Sequence, residues 1–240
     1  MIDKHEDIRD FIHNLPDEYD ILEEGIDVQT QEEYINYSDS FEQGELTKDQ
    51  TIYLGNILFN TKKEIEAKKK VLTLLAHLGT ITAFRIIEKY HKNPDVTIKQ
   101  WTALSLQECK MFLESELTDQ SAGFISSGLG GLDKRLRYYF LLLPSTDRPF
   151  TVLQKDIIRE ELNLVSKSLN SIVESVDLSD TFVGMVALVP LDVAVGTLIE
   201  KGINKCNELG DFVFEDYFVT NQNIPDKAEI NDIIKIVKDE

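Results

Sequence analysis

Few residues in this chain are placed for chemistry, and their spacing narrows what they can do. Four histidines, His5, His13, His77 and His91, occupy the first 91 residues; none is four residues from another and none neighbours a cysteine, so no zinc-ligand spacing exists. His77 falls near a helix end, where a half-buried histidine bonded to backbone is the expected state. The run Ser126-Ser127-Gly128-Leu129-Gly130-Gly131 has the glycines of a phosphate-cradling loop. A Walker loop, however, ends in Gly-Lys-Ser/Thr between a strand and a helix. Here Lys134 comes three residues after Gly131 and a strand follows, and the dinucleotide fingerprint fails on the same context. What remains is Lys134, Arg135, Arg137 and Arg148, close in sequence to Gly130 and Gly131. Glycine-rich backbone beside cations can hold an anion, so this cluster is the candidate for an anionic ligand or an acidic partner surface. The plainer reading is a flexible joint. Carboxylates are too abundant for any pair to stand out as an acid and base. No catalytic residue, metal or cofactor is expected.

Composition sets the frame for these residues. The chain has 240 residues and a net charge of −18, with 43 acidic against 25 basic side chains. The charge is uneven: residues 1–60 hold 16 acidic and 3 basic side chains, whereas residues 61–150 hold 10 acidic and 14 basic. Phosphate backbones and anionic lipids repel such a surface, so direct nucleic-acid or membrane binding is not expected. No apolar run is long enough to span a bilayer, and the acidic N-terminus lacks the apolar core of a signal peptide. Cys109 and Cys206 fall on apolar helix faces as small hydrophobes, and a cytoplasmic protein is the simplest expectation.

The N-terminal half reads as helices. Residues 3–14 fit a short amphipathic helix with Ile8, Phe11 and Ile12 on one side, stopped by Pro16. Residues 17–46 are acidic but carry Tyr19, Tyr34, Tyr37 and Phe41, which predicts a loosely helical segment packing its aromatics on the next element. Thr47 is placed to cap a helix with Ile52, Leu54, Ile57 and Leu58 inward. Thr61 and Glu64 have capping-box spacing for a helix ending at Gly79. A third helix covers residues 80–90. Pro94 and Asp95 then form a turn, Asp95 capping a fourth helix with Lys99 on the same edge. Trp101 is expected as a core anchor.

Residues 76–113, with the turn Lys92-Asn93-Pro94-Asp95-Val96 and the following Lys99 and Ala103-Leu104, resemble a HEAT repeat. The resemblance covers one full helical hairpin and part of a preceding one. It implies a short, capped solenoid whose use is to bind another macromolecule.

Residues 121–136 read as a glycine-rich joint, and strands and helices alternate after it. A strand at 137–143 is followed by a helix opened by a Thr151–Gln154 capping box, with Leu153, Ile157, Leu162 and Val165 inward. Strands at 171–178 and 182–189, a helix capped by Asp192 and ended by Gly210, and a strand at 212–219 complete the order β-α-β-β-α-β. That is the order of a ferredoxin-like sandwich. The apolar first and third strands belong at its centre. The second and fourth, carrying Glu174, Asp177, Glu215 and Asp216, belong at its edges. A terminal helix with Ile230, Ile233, Ile234 and Val237 closes the chain.

The expectation is therefore an α+β protein: a HEAT-like helical mini-solenoid over residues 1–120, a linker over 121–136, and a ferredoxin-like α/β sandwich over 137–240. An intracellular, non-catalytic adaptor or regulator that holds another protein fits the acidity, the hairpin and the absent motifs. The alternatives are a small-ligand-sensing module and, third, an enzyme with its site at the domain junction. Partner identity and oligomeric state are open at this point.

Overall fold

The computed structural model describes residues 16, 18–40 and 46–239. The proposed helix at 3–14, with Ile8, Phe11 and Ile12, lies outside the described residues, as do His5, His13 and Phe41. The fold is mixed α+β, with a helical N-terminal region and a sheet in the C-terminal region. It divides into two compact units, Met1–Ser126 and Ser127–Glu240.

In the first unit β1 (Glu18–Ile21) is followed by five helices: α1 (Val28–Ser38), α2 (Lys48–Leu58), α3 (Ile65–Leu78), α4 (Ile81–His91) and α5 (Lys99–Thr118). β2 (Ala122–Ile125) then returns to pair in parallel with β1, Glu18 opposite Ala122 and Ile21 opposite Ile125. The acidic stretch read as loosely helical thus holds a strand as well as α1. Thr47 and Gln50 close a capping box on α2, and Thr80 accepts the Ala83 N–H at the start of α4. Gly79 ends α3 at φ +56°. α2 packs on α3 and α4, α3 packs on α5, and α4 packs on α5, so two successive hairpins stack helix on equivalent helix. Their core is Leu58, Leu72, Leu75, Ile87, Ile98, Leu104 and Cys109. Trp101, buried as expected, takes Tyr34 and Tyr37 edge-on at 5.0 and 5.5 Å.

Two caps of this unit differ from the sequence reading. Glu64 itself sits at the N-cap of α3, without a side-chain bond, so Thr61 and Glu64 form no box. Asp95 does not cap α5 either: a single 3₁₀ turn, Val96–Ile98, intervenes. The Asp95 carboxylate instead accepts from Lys68 of α3 and from the Tyr90 hydroxyl, and Lys99 lies 3.7 Å from Glu24. A buried ammonium seeks a counter-charge more strongly than a backbone N–H seeks a cap, and Lys68 is 3% exposed.

In the second unit β3 (Gly131–Leu132) and β4 (Arg135–Leu142) form a hairpin turned by Asp133 and Lys134, both at positive φ. α6 (Val152–Ser168), β5 (Ile172–Leu178), β6 (Val183–Pro190), α7 (Val195–Asn207), β7 (Phe218–Thr220) and α8 (Lys227–Asp239) follow. The stretch 121–136 therefore contains β2 and the β3 hairpin. β4 pairs antiparallel with β6, and β6 with β5. On the other side of β4, β3 and β7 share its edge. β4 and β6, the apolar strands, are central. Phe140, Leu142, Met185 and Ala187 face α6 and α7, and Tyr139, Leu141 and Val186 face α8.

The Thr151–Gln154 box opens α6 as predicted. Leu153 is exposed, and Ile158 takes the inward position beside Leu162 and Val165. Ala194, not Asp192, is the N-cap of α7. The last strand is shorter than expected: Val213 makes a lone bridge to Pro144, pairing resumes only at Phe218, and Glu215 and Asp216 lie in the intervening loop.

Candidate functional site

An apolar concavity lies in the first unit, between α2 and α4. Its floor is set by Gly55. A Cβ there would stand 2.7 Å from Ile86 Cγ2, so glycine is what lets α4 approach α2 this closely. Ile52 and Phe59 stand on one side of the resulting groove, Ile81 and Ile86 on the other, and its volume is about 650 Å³. Ile52, predicted to face inward, is 43% exposed, and Phe59 and Ile81 are 44% and 55% exposed. These apolar side chains form one partly exposed cluster. Asn56, Thr82, Arg85 and Lys89 complete the lining, which contains no carboxylate. Arg85 bonds Glu88 at 2.9 Å. Lys89 has no carboxylate partner among the described residues and rests over the Phe59 ring, its Nζ 5.1 Å from the centroid. Phe59 is itself held edge-on by Tyr90.

A second constellation is polar and buried. Tyr34 and Ser38 from α1, His77 from α3 and Glu108 from α5 meet beside a cavity of about 240 Å³. The Tyr34 hydroxyl donates to Glu108 Oε2 at 2.6 Å and Ser38 Oγ donates to Oε1 at 2.8 Å. His77 Nε2 lies 2.6 Å from Ser38 Oγ and 3.6 Å from Glu108 Oε2. The residue types are those of a nucleophile, a base and an acid, but the geometry is not. In a catalytic triad the carboxylate holds the imidazole from Nδ1 while the serine faces Nε2. Here both face Nε2, and the serine gives its own proton to the carboxylate. The arrangement ties α1 to α3 and α5, with Ser38 Oγ standing between Glu108 and His77. Burial and the adjoining Glu108 charge hold the Tyr34 phenol well above its usual range, so it stays a donor. His77 thus bonds to Ser38 through Nε2.

The sequence-predicted cations are divided by the fold. Lys134 lies in the β3–β4 turn, and Arg135 donates to Asn170 through Nε and Nη2 at 2.8 Å each. Arg137 makes a bidentate pair with Glu174 and donates to the Leu129 carbonyl at 2.6 Å. Gly130, at φ +67°, and Gly131 adjoin this end of the sheet. Arg148 lies beyond the opposite end of β4, roughly 23 Å away along an eight-residue strand, beside Pro144, Thr151 and Asp211 in a cavity of about 610 Å³. Lys134, Arg135 and Arg137 thus lie at one end of β4 and Arg148 beyond the other. Among the described residues no three metal-binding side chains converge, and no helix is long and apolar enough to cross a membrane.

No family model and no curated protein sequence matches the chain. Solved structures are similar only at a distance. A Deinococcus radiodurans R1 protein assigned as a transposase aligns over 45% of this chain and 93% of its own, at 8% identity and a TM-score of 0.37. A REP-associated tyrosine transposase bound to a REP hairpin aligns over 44% and 66%, at 7% identity and a TM-score of 0.33. Likenesses at these scores carry neither fold nor function.

The groove residues escaped the sequence reading because an amphipathic helix was given one apolar face. The available signal was a surplus: α2 carries Ile52 and Tyr53, and Phe59 at its C-cap, beyond what its buried stripe uses, and α4 begins with Ile81 directly after its cap.

Proposed function

We propose that this chain is a non-catalytic interaction protein, an adaptor or regulator, that holds another protein in the groove between α2 and α4. The observation that carries the reading is the exposed apolar lining of Ile52, Phe59 and Ile81 around a floor kept open by Gly55. Two stacked hairpins, α2 on α4 and α3 on α5, support reading the first unit as a HEAT-like mini-solenoid, an architecture that works through its surfaces. The order β7-β4-β6-β5, antiparallel throughout, supports reading the second unit as a ferredoxin-like sandwich with α8 added over its second face. Burying three half-exposed large apolar side chains supplies a few kcal/mol, enough to anchor a partner when combined with a polar rim.

A site-specific photo-crosslinker tests the proposal. Placed at position 59 or 81 in the full chain in its native cells, it should give one discrete adduct that disappears when Ile52→Asp is added. Placed at Leu164, exposed on α6, it should give none. Equal adducts at Leu164, or none at 59 and 81, would sink the reading.

A further inference from the structure

We infer that the occupant of the α2–α4 groove is an amphipathic helix with acidic flanks, a partner class defined by three properties of the groove itself. The inference rests on the proposal that this groove is the interaction site.

The first property is the state of the backbone. Both walls are α-helices whose N–H and C=O groups bond within their own ladders. The groove therefore presents no edge against which an extended peptide can pair, and its neutral polar side chains are only Asn56 and Thr82. A partner segment laid here must satisfy its own backbone, which a helix does and a strand does not.

The second is dimension. α2 and α4 are 11 residues each, close to 16 Å of axis. The four anchors Ile52, Phe59, Ile81 and Ile86 fall within that length, which matches about three turns of a partner carrying apolar residues at i, i+3 or i+4, and i+7.

The third is charge. The chain carries −18 overall, yet the groove lining holds Lys89, which no carboxylate pairs among the described residues, beside Arg85, which Glu88 pairs at 2.9 Å. The two walls, residues 48–59 and 81–91, hold three basic and two acidic side chains, against 25 basic and 43 acidic over the whole chain. An acidic segment is repelled by most of this protein and attracted here, so the same distribution that selects the partner also steers it. Two cations are far too few for a phosphate backbone on so acidic a chain.

The test uses the full chain and a displayed library of helical peptides of about 16 residues, long enough to overrun the groove at both ends. Recovered sequences are synthesised and their binding is read by fluorescence anisotropy at low and high salt. The expected result is an apolar i, i+3/i+4, i+7 stripe with Asp or Glu beside it. Binding should weaken at least about tenfold with Phe59→Asp or Ile81→Asp. It should weaken about five- to tenfold with Arg85→Glu plus Lys89→Glu, a loss that shrinks at high salt. Thermal melts of each variant confirm folding, which these exposed positions should leave intact.

Binders that depend on Phe59 and Ile81 but show no acidic bias, or no helical spacing, would overturn this inference and leave the groove as the interaction site. Binders indifferent to both positions, or no binders at all, would overturn the groove reading and this inference together. A second copy of the chain as occupant would appear as concentration-dependent dimerisation abolished by Ile81→Asp, and would also overturn it.

Discussion

The Lys68–Asp95–Tyr90 cluster gives a quantitative prediction, because its two charged partners differ sharply in their access to water. Lys68 is 3% exposed, whereas the Asp95 side chain is 36% exposed. Removing the cation by Lys68→Met leaves a carboxylate that water can reach and that Tyr90 still contacts, and the methionine fills the same space. We expect that variant to lose less than about 1 kcal/mol. Removing the anion by Asp95→Asn leaves a buried ammonium with only a neutral amide and the Tyr90 ring nearby. Discarding the proton of an ordinary lysine at pH 7 costs about 4.6 kcal/mol, which caps the loss, and we expect about 2–4 kcal/mol. The double variant should fall close to Lys68→Met alone, so the two substitutions are strongly non-additive. Equilibrium urea denaturation of the full chain at pH 7 measures all three. The pH dependence supplies an independent check. Donation from Lys68 and from Tyr90 holds the Asp95 carboxyl below its usual range. A carboxyl lowered in the folded state contributes stability above its unfolded pKa and loses it as pH falls through the folded value. The deficit of Asp95→Asn should therefore be full at neutral pH and close in acid, below the ordinary carboxylate range. If Asp95→Asn costs no more than Lys68→Met, the argument from burial is wrong.

Other perturbations probe the packing. A Cβ at Gly202 of α7 would lie 2.2 Å from Leu162 Cδ2 of α6, so Gly202→Ala should cost about 1–3 kcal/mol in the same assay. Burial pushes the Cys109 and Cys206 thiols up to about 12, so both should resist Ellman's reagent in the native protein and react promptly in denaturant. Trp101 is the only tryptophan and is 3% exposed. Its emission should be that of a buried indole, poorly quenched by acrylamide, and should shift to longer wavelength on unfolding. Emission already red-shifted in the native protein would contradict the packing of Tyr34 and Tyr37 against it.

Local chemistry was legible wherever neighbours in sequence are neighbours in space. The caps at Thr47 and Thr151, the stop at Gly79 and the contrast between apolar β4 and β6 and charged β5 all depend on residues a few positions apart. The features that escaped depend on long-range partners. Asp95 has the spacing of a cap but is taken by Lys68, 27 residues earlier. β1 is four residues long and gains its identity only from β2, and a four-residue strand has too little periodicity to announce itself. Gly128 looked like flexibility, yet a Cβ there would collide with the Gln222 carbonyl at 1.8 Å, so the position is glycine because another backbone passes through its space. The groove was invisible for a related reason: an exposed isoleucine on α2 means nothing until α4 places another opposite it.

The β1–β2 pairing also fixes when and how the helical unit can be complete. The two strands are separated by about a hundred residues, and α1 to α5 lie between them. During synthesis at about 5–20 residues per second, β1 waits on the order of 5–20 s for its partner to be made, while the helices between them can already associate through contacts nearer in sequence. A fragment that stops before Ala122 would carry α1 to α5 yet leave a strand with unsatisfied backbone at its edge, an invitation to pair with another chain. Anyone wishing to isolate the groove should carry the chain through Ser126 and treat those last few residues as the clasp of the helical unit.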